Sequence, residues 1–179
     1  LESARREENG VVYYDRGILT GTDGRRYQRY AIKTHFVEPN ESQAELVRRY
    51  VLPIYQQGDC LSFTAKVMGM CTGAVRTLED THPGFWAKLL SPFAGHNSTG
   101  IGMHQPYKMQ LTIELCGLPR VLFAAAVSAV TRPFGIRGLF YKICGHDVAG
   151  IDGFYPDSSF EQYHTMGVLN PSNPVALCD

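Results

Sequence analysis

The sequence predicts an α+β fold, mixed sheets joined by short helices, and three observations lead there. Residues 29–37 alternate, with Tyr30, Ile32, Thr34 and Phe36 on one side and Arg29, Ala31, Lys33 and His35 on the other. That is the period-two pattern of a half-buried strand. Residues 42–55 change period, repeating Ala44, Leu46, Val47, Tyr50, Val51 and Ile54 at intervals of three and four, as an amphipathic helix does. Glycine and proline then punctuate the chain between apolar runs of both kinds.

Taken in order, Gly10 to Ile18 reads as a strand. Val11, Val12, Tyr13 and Tyr14 supply it, and Gly21-Thr22-Asp23-Gly24 supplies the turn of a hairpin. Ser42-Gln43-Ala44-Glu45 offers a capping box for the helix that follows, and Pro53 ends that helix by removing an N–H donor. Gln56-Gln57-Gly58-Asp59 turns the chain into an expected strand, Cys60 to Met68. Pro83-Gly84 punctuates before a short helix, Phe85 to Leu90. Ser91 to Pro106 reads as a long loop holding Gly95, His96, Gly100, Gly102 and His104, and long loops in compact domains are often functional. Tyr107 to Leu115 reads as a strand ending at Gly117-Leu118-Pro119. For Arg120 to Ala129 the valine, leucine and phenylalanine argue strand and the alanines argue helix, so both stay open. Leu139 to Cys144 is an apolar, strand-like run before a glycine-rich turn.

Composition narrows the function classes. A chain of 179 residues, 44% of them hydrophobic, buries one core, so residues 1–179 read as a single domain. Seventeen basic residues balance seventeen acidic ones, which disfavours a nucleic-acid partner bound through its phosphates. The five cysteines, Cys60, Cys71, Cys116, Cys144 and Cys178, are odd in number and never arranged Cys-x-x-Cys. They read as reduced, mostly buried thiols of a cytoplasmic protein. The charged start Leu1 to Asn9 lacks the apolar core of a signal peptide. The longest apolar run, Val121 to Val130, falls short of the ~20 residues that a membrane helix needs.

The segment richest in chemistry is Gly145-His146-Asp147-Val148-Ala149-Gly150-Ile151-Asp152-Gly153. It sets carboxylates among glycines, where backbone N–H groups and an acid can converge on a phosphate or a divalent cation. Ala149-Gly150-Ile151-Asp152 resembles the Ala-Gly-Ile-Asp turn of the coenzyme F-420:L-glutamate (gamma-glutamyl) ligase family. Gly58-Asp59 followed by Cys60 to Val67, with Lys66 in it, is similar to that family's Gly-Asp, apolar strand and lysine. Glu41 to Tyr50 matches the helix before that turn, and Asn170-Pro171-Ser172-Asn173-Pro174 matches the step into the next helix. The likeness runs from about Tyr30 to Asp179.

That resemblance implies the gamma-glutamyl ligase fold and its reaction. A nucleoside triphosphate, GTP or ATP, phosphorylates a carboxylate, and the amine of glutamate attacks the acyl phosphate to leave an amide. Mg or Mn is the implied metal and a homodimer the implied assembly, acting on an acidic small molecule with no nucleic-acid or membrane partner. Such chemistry needs an acid to hold a hard cation on the phosphates and a cation to offset developing charge. Asp152 is the metal candidate, and Lys66 and Gly150 are the cofactor-binding candidates; no residue is singled out as catalytic. The alternative for Asp152 is a turn-former that caps an N–H, and for Lys66 a snorkelling surface lysine. His146 and Asp147 lie close enough in sequence to join a metal. Lys108, Arg120, Arg132, Arg137 and Lys142 can offer charge to an anion.

The sequence also departs from the family. Where the family carries Ser-Lys-x-Glu-Gly-Arg, this chain has Gly69-Met70-Cys71-Thr72-Gly73-Ala74, keeping only the glycine. Its Asp-Gln-Ser-Asn becomes Asp152-Gly153-Phe154-Tyr155. The departures predict a divergent substrate, and they leave open a ligand-binding protein without catalysis or a structural module. In the latter, Phe154, Tyr155, Phe160 and Tyr163, or Tyr13, Tyr14, Tyr27 and Tyr30 at the other end, would form an oligomer interface. The start without Met, and a helix expected to begin after Pro174, predict a further C-terminal part.

Overall fold

The structure is a computed structural model and describes residues 4–94, 103–136, 138–154 and 161–171. Two small antiparallel sheets and a helical layer make it an α+β protein. The first sheet is the expected hairpin, β2 (Val11–Thr20) with β3 (Arg26–Ile32), widened by an N-terminal strand β1 (Arg5–Glu8) that the sequence did not announce. Its turn closes through the Gly24 N–H donating to the Gly21 carbonyl. The alternation of residues 29–37 overstates the strand at both its length and its burial. The strand ends at Ile32, with one more bond from the Lys33 N–H to the Val12 carbonyl, and of the whole sheet only Val11 is buried. This ribbon stands largely in solvent, braced by Tyr13 edge-on to Tyr30.

Helix α1 (Gln43–Leu46) begins where the capping pattern placed it, with the Ser42 hydroxyl accepting from the Glu45 N–H. Glu45 does not complete the box and pairs with Arg48 instead. After Leu46 the helix widens into a π turn, Val47–Val51, closed by the Leu52 N–H on the Val47 carbonyl. Pro53 follows, and the Asn9 side chain donates to its carbonyl at 2.6 Å, tying the turn between β1 and β2 to this helix end.

The expected strand Cys60 to Met68 is absent. Residues 60–64 run without a ladder, and Thr64 caps a helix, α2 (Ala65–Cys71), by accepting from the Val67 N–H at 3.3 Å. A threonine hydroxyl at a helix start outweighs the strand preference of the short apolar run around it. Two further strand expectations also prove helical. Tyr107 to Leu115 lies in α4 (Pro106–Cys116) and Leu139 to Cys144 is α6. In α4 the alternating apolar positions are coincidental. Its buried residues are Lys108, Met109, Leu111 and Thr112, a helical stripe, and Pro106 sits at the helix start, where its missing N–H is harmless. The segment left open resolves as helix α5 (Leu118–Thr131), begun by Pro119 in its first turn.

Helix α3 occupies Phe85–Leu90 as expected, continuing as a 3₁₀ turn, Ser91–Phe93. The other short elements are β4 (Val75–Thr77), α7 (His146–Ala149), β5 (Asp152–Gly153), α8 (Gln162–Thr165) and β6 (Met166–Val168). The second sheet has the order β4-β6-β5, all antiparallel. The larger core joins α3 to α7 through Ala87, Met109, Leu111, Val121, Ala124, Cys144 and Val148. A smaller one joins α1, α2 and β6 through Val37, Leu46, Met70 and Val168. No single helix among the described residues is long and apolar enough to cross a membrane. Among the described cysteines, Cys60, Cys71, Cys116 and Cys144 are free thiols, of which Cys144 is buried and Cys60 exposed.

Candidate functional site

Lys66 and Asp152, far apart in sequence, form an ion pair. Three local features bring them together. Gly69 lets α2 lie directly on β6, because a Cβ there would strike the Leu169 carbonyl and the Val168 side chain. That contact carries Lys66, in the first turn of α2, to the sheet. Antiparallel pairing then sets Asp152 opposite Val168 and Gly153 opposite Gly167. Gly153 takes φ +112°, a conformation side chains rarely adopt, and its missing Cβ leaves room for the Met166 carbonyl.

The third member of the cluster is Lys108. Phe154, which follows the Asp152-Gly153 strand, is buried and stacks on Tyr107 with ring centroids 5.8 Å apart. This joins the start of α4 to the sheet and places Lys108 inside the protein, only 6% exposed, with the Lys66 ammonium close enough to act on its charge. Burial, and secondarily Lys66, pull the Lys108 amine down to about 8.

The electrostatics of the cluster are unequal. The Asp152 side chain is 10% exposed, whereas that of Lys66 is 56% exposed. A buried carboxylate thus draws an otherwise solvated lysine onto it, and a second, buried lysine lies within electrostatic reach of the first. Two lysines near one buried carboxylate make a polar, half-enclosed setting of the kind that can receive a carboxylate or phosphate ligand. An amine near pH 8 can also give or take a proton close to neutrality.

The candidates fare differently. Gly150 closes α7 with ordinary helical dihedrals. A Cβ on it would collide with the Asn170 side chain, and Asn170 in turn reaches the His146 carbonyl at 3.5 Å. The two glycine- and proline-marked segments therefore do meet, by packing. His146 and Asp147 occupy the exposed side of α7 while Val148 faces the core. Arg132 donates to the Phe93 carbonyl, away from the cluster. Phe154 is a core residue and not part of an exposed interface, and Tyr163 packs edge-on to Phe36. Gly95, His96, Gly100, Gly102, Arg137, Tyr155, Phe160 and the helix after Pro174 lie outside the described residues.

Among the described residues no group of three or more His, Cys, Asp or Glu side chains converges as metal ligands do. Asp152 can contribute one carboxylate. That suits a magnesium-like cation arriving on phosphates, which keeps most of its shell as water and phosphate oxygen, and does not suit a cation caged by protein. The chain matches no protein-family model, and no match was found among curated proteins or solved structures.

Proposed function

We propose that this chain is a nucleotide- and metal-dependent amide ligase, joining glutamate or a similar amine to an acidic small molecule as the gamma-glutamyl ligases do. The observation that supports the reading is the ion pair of Lys66 with the buried Asp152, with the buried Lys108 within electrostatic reach of Lys66. In this reading Lys66 and Lys108 receive the phosphates of GTP or ATP, or the carboxylate to be activated. Asp152 orients Lys66, and it is the residue that would hold the Mg or Mn accompanying the phosphates. The bound nucleotide and cation would supply the phosphoryl group and its charge neutralisation. The chain's own residues position the two anions and lower the repulsion between them. A homodimer is part of the same proposal.

A second reading has its own support. Where the ligases carry a lysine, a glutamate and an arginine after the strand lysine, this chain folds Gly69 to Cys71 into α2, with Gly69 and Met70 buried. A binding protein that keeps the anion site without turnover fits that loss of charge. The experiment that separates them is release of inorganic phosphate from GTP and ATP with Mg²⁺, glutamate and a panel of di- and tricarboxylic acids. The ligase reading predicts glutamate-dependent release, reduced at least tenfold in Asp152→Asn. Nucleotide binding without release under any acid would favour the binding protein, and neither would return the chain to the structural, oligomeric alternative.

A further inference from the structure

On the far side of the smaller core, three side chains unrelated to the lysine cluster line up. The His35 Nδ1 lies 2.7 Å from the Tyr50 hydroxyl, and its Nε2 lies 2.8 and 2.9 Å from the two oxygens of Glu41. The ionised carboxylate can only accept, so it fixes the imidazole proton on Nε2. Nδ1 then accepts from the phenol. Burial would raise the Glu41 carboxyl, but the Glu38 N–H, donating at 3.0 Å, and the imidazole outweigh it and hold the group below its usual range. It is therefore charged throughout the neutral range.

The backbone keeps these groups in line. The Asn40 N–H donates to the Met70 carbonyl at 2.8 Å and the Glu41 N–H to Glu38, which anchors the loop before α1 against the end of α2. Tyr50 stands in the π turn, where the widened helix presents its hydroxyl to His35, and the His35 backbone N–H donates to the same oxygen at 3.3 Å. The Arg49 guanidinium lies over the Tyr50 ring, 5.3 Å from its centroid. A backbone donor and a guanidinium thus flank the Tyr50 side chain, and His35 is open to solvent.

We propose that Tyr50, His35 and Glu41 form a hydroxyl–imidazole–carboxylate relay in which Tyr50 is a nucleophile toward activated acyl compounds. The logic is that of any nucleophile with an adjacent base oriented by a third group. The Tyr50 oxygen attacks the acyl carbon and the bond from that carbon to the leaving group breaks. The phenolic proton passes to His35 Nδ1, and the leaving group departs as its anion. His35 is the general base and Glu41 a positioning residue.

The test uses p-nitrophenyl acetate on the full chain at pH 7.5, with the acetyl group mapped by mass spectrometry. The expected result is acetyl-Tyr50 formed at least tenfold faster than acetylation of the exposed Tyr55, with one p-nitrophenolate released per label. His35→Ala lowers the Tyr50 rate to that of Tyr55, and imidazole in solution restores part of it, which a merely structural histidine would not allow. ¹⁵N spectra report His35 as a single Nε2–H tautomer, and Glu41→Gln gives a mixture. Labelling of Tyr50 no faster than Tyr55, a stable label on His35 instead, or a rate indifferent to His35→Ala would each overturn the relay.

Discussion

Replacing Lys108 by methionine should stabilise the protein while weakening the proposed anion site. Lys108 ionises near 8 in the folded chain against an ordinary value of 10.5, chiefly because it is buried. Below pH 8 the amine is protonated in both folded and unfolded chains, so the folded state carries the full desolvation cost. The difference between the two values corresponds to roughly 3 kcal/mol. Between pH 8 and 10.5 the unfolded chain binds more protons than the folded one, so stability rises with pH there. By the same arithmetic the cost is still about 3 kcal/mol at pH 7 and falls to about 1.5 kcal/mol at pH 9.5. Methionine, similar in length and uncharged, removes it at every pH. Urea unfolding at pH 7 should place Lys108→Met about 3 kcal/mol above the wild type, and at pH 9.5 only about half as far above it. Taking the difference between the two proteins cancels the other groups that titrate over that range. A variant less stable at pH 7, or an advantage that does not shrink by pH 9.5, would refute the reasoning.

Two packing predictions follow. Gly69→Ala gains helix propensity worth about 1 kcal/mol, but its Cβ meets the Leu169 carbonyl, which cannot move without disturbing β6. The expected net loss in urea unfolding is about 1–2 kcal/mol, together with weaker anion binding as Lys66 is pushed from Asp152; equal stability and equal binding would contradict the α2–β6 approach. Leu111→Ala empties a fully buried position in the larger core and should cost about 2–5 kcal/mol in the same assay, whereas a loss under 1 kcal/mol would mean that α4 does not pack there.

What the sequence made legible is local. The hairpin was readable because the run Val11 to Tyr14 and the alternation from Arg29 flank a turn holding Gly21 and Gly24, and α3 because Pro83-Gly84 stops the chain just before it. The Ser42 cap was likewise written in four adjacent residues. Helix α4 was not readable as a helix, because Tyr107, Met109, Leu111, Ile113 and Leu115 alternate as strand residues do. What makes it helical is packing against α3, α5 and α7, which lies outside any local window. The candidate site divides in the same way. Lys66 and Asp152 stood out through their turns and through a family likeness. Lys108 was one of five cations of equal standing until the stacking of Phe154 on Tyr107 buried it. The His35–Tyr50–Glu41 line depends on a π turn, for which the spacing of apolar residues gave no sign.

The most direct test of the account is calorimetric titration of GTP, then ATP, with Mg²⁺ into the full chain, repeated on Lys108→Met and Asp152→Asn. The account predicts Mg²⁺-dependent binding that weakens at least tenfold in each variant, since one removes a receiving cation and the other the carboxylate that orients Lys66. Binding of neither nucleotide, or binding unchanged by both substitutions, would contradict the claim that Lys66, oriented by Asp152, and Lys108 receive a nucleotide's phosphates.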